Sequence, residues 1–370
     1  MSCGSGGPED GVRRAVVLAG AGDRARSVAG VPLLLRTLLT LQRSGIEQCT
    51  IVGAEPPADP RLQIPVARAA SAASVGGEAL HVVVGPGTVF DQTLVRELVR
   101  QARPGMVSEV ARDGACLRIA PADRLAEPAT PSAPPQVGVL EPATRSDAEL
   151  ERALLRGLRN PRDGWIDRVL ARRLSAALTR LLLRTPLTPN AVTLTAIALG
   201  VGGGIALGSP ASSCVLAGVA ALVLSAVLDC SDGELARLRF QESSRGHILD
   251  LTGDTLVHLA VLSGIVRRLA TTGTVVAWPT LGALGVGVVG AFAVITACEM
   301  QETRRRQFAC WENRLIDQVL APLTTRDWYL FPVLFVLGGR LEWLVPAAAV
   351  GANVFWIVTL VVLLRVLRRG

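Results

Sequence analysis

Asp229-Cys-Ser-Asp232-Gly233-Glu-Leu-Ala236-Arg237, then eight residues, then Gly246-His-Ile-Leu-Asp250-Leu-Thr-Gly-Asp254, place four carboxylates between two long apolar runs. In pattern form the segment reads D-x2-D-G-x2-A-R-x8-G-x3-D-x3-D. Ionised groups at or near membrane depth are expensive, so these four should face one another, a cavity or metal ions.

The spacing predicts how they meet. If a helix ending near Asp232 persists through Asp229, those two are i,i+3 neighbours. Asp250 and Asp254 are i,i+4 neighbours on the next helix, so each pair shares one helix face. Bringing the two faces together makes a four-carboxylate cluster, in which bare charges repel and raise one another's pKa values. Divalent cations relieve that repulsion, and Mg²⁺ or Mn²⁺ prefer oxygen ligands. Two such ions about 3.5–4 Å apart hold both the attacking and the leaving oxygen of a phosphoryl displacement. Gly233, Ala236 and Gly246 are small enough to let backbone approach a ligand or a neighbouring helix. Arg237 offers a fork of donors to a phosphate. The bland alternative, helix-end aspartates at an interface, leaves the fixed Gly, Ala and Arg positions unaccounted for.

Outward from this segment the chain is apolar. Half of its 370 residues are hydrophobic and its mean hydropathy is +0.41, with the apolar residues concentrated after Leu187. Hydropathy predicts six membrane spans: about Asn190–Leu207, Ser212–Leu228, Ile248–Val266, Thr274–Ala297, Thr325–Gly338 and Leu344–Leu367. The fifth is short for a bilayer of about 30 Å. The net charge is +7, and every basic side chain is arginine. Arginines of the motif loop (Arg237, Arg239, Arg245), of Arg304-Arg-Arg306 and of the tail (Arg365, Arg368, Arg369) share one face, which the positive-inside rule assigns to the cytosol. Arg267, Arg268 and Arg340 fall on the other. Arg304–Arg306, Arg314 and Arg326 either bind a phosphate of the acceptor or form an ordinary positive-inside loop.

Just before the first span, Trp165 to Arg184 reads as a basic amphipathic helix. It sets Ile166, Val169, Leu170, Leu174, Leu178 and Leu181 against Arg168, Arg172, Arg173, Arg180 and Arg184. Such a helix lies in the headgroup layer, attracted by anionic lipid; packing on a soluble domain is the other reading. Thr188-Pro189-Asn190-Ala-Val-Thr193 opens the span itself, either as a helix cap or with Asn190 and Thr193 lining a site.

Arg14 to about Ala120 reads as a soluble α/β unit. Ala15–Leu18, Thr50–Val52 and Val82–Val84 have the character of buried strands, and Pro32–Gln42 and Gln92–Gln101 that of helices. Their alternation predicts a parallel sheet. Pro121–Pro142, rich in Pro and Ala, reads as a linker, followed by a charged helix Asp147–Leu158. The expected domains are therefore 1–120, a connecting stretch 121–162, and a membrane domain 163–370. Met1–Gly11 lacks the apolar core of a signal peptide. Seven scattered cysteines without a CxxC fit reduced thiols facing the cytosol.

The motif residues resemble, position for position, the signature of the CDP-alcohol phosphotransferase family of membrane enzymes, and the resemblance covers roughly Asp163 to the C-terminus. It implies a six-helix membrane domain that transfers the phospho-alcohol part of a CDP-alcohol to an acceptor hydroxyl and releases CMP. By that resemblance Asp229, Asp232 and Asp250 are ligands for two divalent ions, Mg²⁺ or Mn²⁺. Asp254 is the base for the acceptor hydroxyl and also touches a metal. Asp229, Gly233, Ala236, Arg237 and Gly246, with Asn190 and Thr193, hold the CDP-alcohol. Membrane lipid is then a partner, a homodimer the expected assembly, and nucleic acid not a partner.

At the other end, Val17-Leu-Ala-Gly20-Ala-Gly22-Asp-Arg24 resembles the Gly-rich nucleotide loop of sugar-phosphate nucleotidyltransferases. The fusion resembles inositol-1-phosphate cytidylyltransferase joined to di-myo-inositol phosphate phosphate synthase, a Rossmann-like unit ahead of a membrane one. Two positions depart from that family. Val31 precedes Pro32 where a lysine is expected, and Pro86 follows Gly85 where a metal-binding Asp is expected. A degenerate domain is the preferred expectation. An active cytidylyltransferase, or a transporter with an acidic ion site, are the alternatives.

Overall fold

The computed structural model describes residues 12–20, 22–75, 79–102, 107–121, 124, 138–158, 172–271, 273, 277–301, 334–336, 338–340 and 343–368. Most of the expected fifth span, all but 334–336 and 338, and the arginines at 304–306, 314 and 326 lie outside these residues. The chain divides into two compact units. The first comprises Met1–Arg159 with two short additions, Leu183–Thr185 and Ala236–Gln241; the second comprises Asn160–Leu182, Pro186–Leu235 and Glu242–Gly370.

In the first unit, β1 (Arg14–Leu18), β4 (Gln48–Val52), β5 (Val66–Ala69), β6 (Leu80–Val84), β8 (Ser108–Arg112) and β9 (Ala115–Pro121) form one sheet in the order β5-β4-β1-β6-β9-β8. Strand β1 is parallel to β4 and β6, and β4 to β5. The alternation of apolar side chains buries both faces. Val17, Val82 and Val84 meet Leu34, Leu38 and Leu41 of helix α1 (Leu33–Arg43), whereas Val16 and Val83 form a cluster with Ala120.

The all-parallel expectation requires correction, because β9 runs antiparallel to both β6 and β8. The cause is local. Asp113 and Gly114 both adopt positive φ (49° and 91°), the tight hairpin turn that an Asp-Gly pair favours, so the chain returns along the same edge. Strand β7 (Thr88–Phe90) pairs antiparallel with β10 (Leu140–Pro142), which places the end of the expected linker in a ladder. Short strands β2 (Ser27–Val28) and β3 (Val31–Pro32), and helices α2 (Gln92–Gln101) and α3 (Asp147–Gly157), complete the unit. Asp91 caps α2 by accepting from the Leu94 amide at 3.0 Å.

In the second unit, α4 (Arg172–Leu182) precedes five helices long and apolar enough to cross a membrane: α5 (Pro189–Leu207), α6 (Ser212–Arg239), α7 (Ser244–Thr271), α8 (Trp278–Met300) and α9 (Leu344–Leu367). Much of their apolar surface stays exposed, for instance Val286, Val289, Phe292 and Val350, as lipid-facing helices require. The core gathers Leu207 of α5, Val219 and Leu222 of α6, Val257, Val261 and Ile265 of α7, Leu284 of α8 and Val345 of α9.

Small residues let these helices touch backbone to backbone. A Cβ on Gly204 of α5 would meet the Val261 N of α7 at 2.6 Å, and one on Gly203 would meet the Gly218 O of α6 at 2.8 Å. On α8, a Cβ at Gly290 would meet the Trp356 ring of α9 at 2.7 Å. Helix α4 buries its hydroxyl face, Ser175 and Thr179, and leaves Leu174 and Leu181 of the predicted apolar stripe exposed.

Candidate active site

The motif lies on α6 and α7. Helix α6 does not stop near Asp232 but continues to Arg239, so Asp229, Asp232, Gly233, Ala236 and Arg237 all sit on one uninterrupted helix. Helix α7 begins at Ser244 and carries Gly246, Asp250 and Asp254. Carboxylate oxygens of Asp229, Asp250 and Asp254 lie within 4.8 Å of one another. Asp229 is buried and the other two are half-buried. Among the described residues, Asp250 Oδ1 is buried without a hydrogen-bond partner. Three converging carboxylates and such an oxygen suit a hard divalent cation.

Asp232 does not join that group. Its Oδ2 accepts a short hydrogen bond from the Thr193 hydroxyl, which also donates to the Pro189 carbonyl at 3.1 Å. Helical geometry explains the split, because residues i and i+3 are offset by roughly 60° around the axis. Asp232 is thereby held to α5 while Asp229 meets α7. The structure thus ties Thr193 to the motif. The cap of α5 is Thr188, which accepts from the Ala191 amide at 3.3 Å, with Pro189 in the first helical position. Asn190 is not the cap. It is exposed, and a Cβ on Gly246 would lie 3.1 Å from its Oδ1, so these two candidate residues are neighbours.

One polar contact escaped the sequence reading. Glu234, an unspecified position in the motif, is buried and accepts hydrogen bonds from Ser175 (3.0 Å) and Thr179 (2.7 Å) of α4. The signal was the i,i+4 pair of hydroxyls on an otherwise basic and apolar helix. Ser225 of α6 adds a bond to the Ala196 carbonyl of α5 at 2.7 Å. Helix α6 is therefore tied to α4 and α5 through side chains that flank the motif.

The Gly-rich loop of the first unit is tied through Asp23 to the turn after β6. Asp23 accepts from the Gly20 amide at 2.9 Å and from the Gly87 amide at 3.1 Å, so its carboxylate occupies donors that such a loop otherwise offers to phosphate. Among the described residues, Cys49, Cys116 and Cys214 are free thiols. Burial pushes Cys49 up to about 12 and Cys116 up to about 11, so neither is a nucleophile near neutral pH.

Residues 186–351, which hold Asp229, Asp250 and Asp254, match the CDP-alcohol phosphatidyltransferase family. Among curated proteins it is similar to a bifunctional IPC transferase and DIPP synthase of Rubrobacter xylanophilus, 37% identical over 84 residues. That match covers 23% of this chain and 19% of the relative's length. The family match falls on the stretch that holds α5 to α8 and the start of α9, helices long and apolar enough to cross a membrane.

Proposed function

We propose that the second unit transfers the phospho-alcohol group of a CDP-alcohol to an acceptor hydroxyl, releasing CMP. The observation that carries this reading is the convergence of Asp229, Asp250 and Asp254 across two adjacent helices. The acceptor oxygen forms a bond to the phosphorus bearing the donor alcohol, the bond to CMP breaks, and the acceptor proton passes to Asp254. Asp229, Asp250 and Asp254, with Asp232 nearby on α6, would hold Mg²⁺ or Mn²⁺. When bound, such ions supply charge neutralisation for the pyrophosphate and the departing CMP. Arg237, Gly233, Ala236 and Gly246, with Asn190 and Thr193 at the mouth of α5, position the nucleotide. Positioning and electrostatic stabilisation then provide most of the rate. The acceptor in this reading is an inositol phosphate or a lipid alcohol. The site opens to the cytosol, and α4 rests in the headgroup layer with Leu174 and Leu181 toward lipid.

The test is CMP release by purified protein from a panel of CDP-alcohols and acceptors, with products identified by mass spectrometry. The expected result is release that stops on chelation and returns with Mg²⁺ or Mn²⁺. A transporter with an acidic ion site would release none, and that outcome would overturn the reading.

For the first unit, the Asp23 contacts favour a domain without cytidylyl transfer. A carboxylate in the loop repels the triphosphate that must enter it, and Val31 and Pro86 stand where the family has a lysine and a metal ligand. The full chain is expected to release no pyrophosphate from CTP and a phospho-alcohol. Pyrophosphate production in step with CDP-alcohol formation would restore the bifunctional alternative.

A further inference from the structure

The end of α6 belongs to the first unit, and there every one of its last four carbonyls finds a donor. The Gln241 amide donates to Ala236 O at 2.9 Å and the Phe240 amide to Arg237 O at 3.4 Å, which together make a Schellman-type C-cap. Phe240 occupies the position that usually calls for glycine, with φ of 56°. Its ring is buried with Val31, Leu35 and Leu39, beneath the guanidinium groups of Arg43 (4.3 Å) and Arg36 (5.1 Å). These contacts offset the strain of a left-handed non-glycine residue.

The remaining two carbonyls are taken by arginines. Arg36 Nη2 donates to Leu238 O at 2.6 Å, and its Nε and Nη2 also donate to Val28 O. Arg61 Nη1 donates to Arg239 O at 2.7 Å, while Asp59 holds the same guanidinium by two bonds of 2.8 Å. Arg36 is 4% exposed, and burial, with Arg43 and Arg61 close by, lowers its pKa to about 9, so it remains charged at neutral pH. A buried cation at a helix C-terminus is stabilised by the negative end of the helix dipole.

We infer that Arg36 and Arg61 are positioning residues for Arg237: they cap the last turn of the motif helix and so fix the backbone from which Arg237 extends. The inference rests on the reading of Arg237 as a CDP-binding residue.

Arg61→Gln and Arg36→Gln in the full chain test it through two readouts. Hydrogen exchange of a peptide covering 232–241 reads the cap, and the kinetics of CMP release read its consequence. Faster exchange there, with β1 and β6 unchanged, is expected. So is a KM for the CDP-alcohol about 10-fold higher with kcat within about 2-fold, the size of a displaced phosphate contact. Arg36→Lys, which restores the charge but not the fork, should recover part of the exchange protection and of the KM.

Unchanged exchange in both Gln variants would overturn the cap. Faster exchange with unchanged KM would overturn the positioning role. If Arg36→Gln unfolds the first unit, Arg61→Gln decides, since its side chain is partly exposed and its loss removes one carbonyl contact and the local pairing with Asp59 two residues away. If wild-type protein releases no CMP, the functional reading fails and the positioning role with it, while exchange still reads the cap separately.

Discussion

Asp254→Asn should bind a CDP-alcohol nearly as tightly as the wild-type protein and yet turn it over at least about 10³-fold more slowly. Asparagine keeps the volume of the side chain and one oxygen facing Asp229 and Asp250, whose carboxylates lie within 4.8 Å of its own in the wild-type protein. What it loses is a group that takes a proton. General-base catalysis contributes about 10²–10⁴-fold, and an alcohol without a base at hand is a weak nucleophile for phosphorus. The measurement pairs equilibrium binding of a labelled CDP-alcohol with CMP release under saturating Mg²⁺. Wild-type turnover in the variant would refute the assigned base. Loss of binding together with turnover would instead make Asp254 chiefly a metal ligand, because the cation and the pyrophosphate it neutralises would then leave together.

The parts of this site that depend on short-range periodicity were legible in the sequence. Asp250 and Asp254 share a face of α7 because four residues make slightly more than one turn, and no distant contact was needed to say so. The end of α6 was not legible. Hydropathy stops the second span near Leu228, since Asp229, Asp232, Glu234, Arg237 and Arg239 are costly in lipid. The helix nevertheless continues to Arg239 because partners meet its polar groups: Thr193 bonds Asp232, Ser175 and Thr179 bond Glu234, and Arg239 donates to the Leu183 and Thr185 carbonyls. Those partners lie roughly forty to sixty residues away in sequence, where no local pattern reaches. The grip of Arg36 on Leu238 spans 202 positions. By contrast, the antiparallel edge of the sheet was written in the Asp113-Gly114 pair, a local hairpin signal that the alternation of strands and helices does not carry.

Gly264→Ala should destabilise the membrane unit by on the order of 2–3 kcal/mol, and Gly202→Ala should not. A single methyl is added in each case, to a helix that gains up to about 1 kcal/mol in propensity from losing a glycine. The surroundings decide the sign. A Cβ at Gly264 of α7 would lie 2.0 Å from the Gly204 carbonyl oxygen of α5, with Gly208 N at 3.3 Å, whereas one at Gly202 meets nothing within 4 Å. The obstacle at Gly264 is backbone, so no side chain can rotate aside and the two helices must separate by roughly 1 Å or more. That separation would travel along a contact which also holds Gly200 against Val257 of α7, and it would shift the helix bearing Asp250 and Asp254 relative to α5, whose Thr193 anchors Asp232. Thermal unfolding in detergent should show a midpoint lowered by roughly 5–10 °C for Gly264→Ala and unchanged or slightly raised for Gly202→Ala. CMP release should fall in the first variant alone. Equal midpoints in the two variants would mean that α5 and α7 do not pack at backbone distance, and the route by which the motif aspartates are brought together would have to be redrawn.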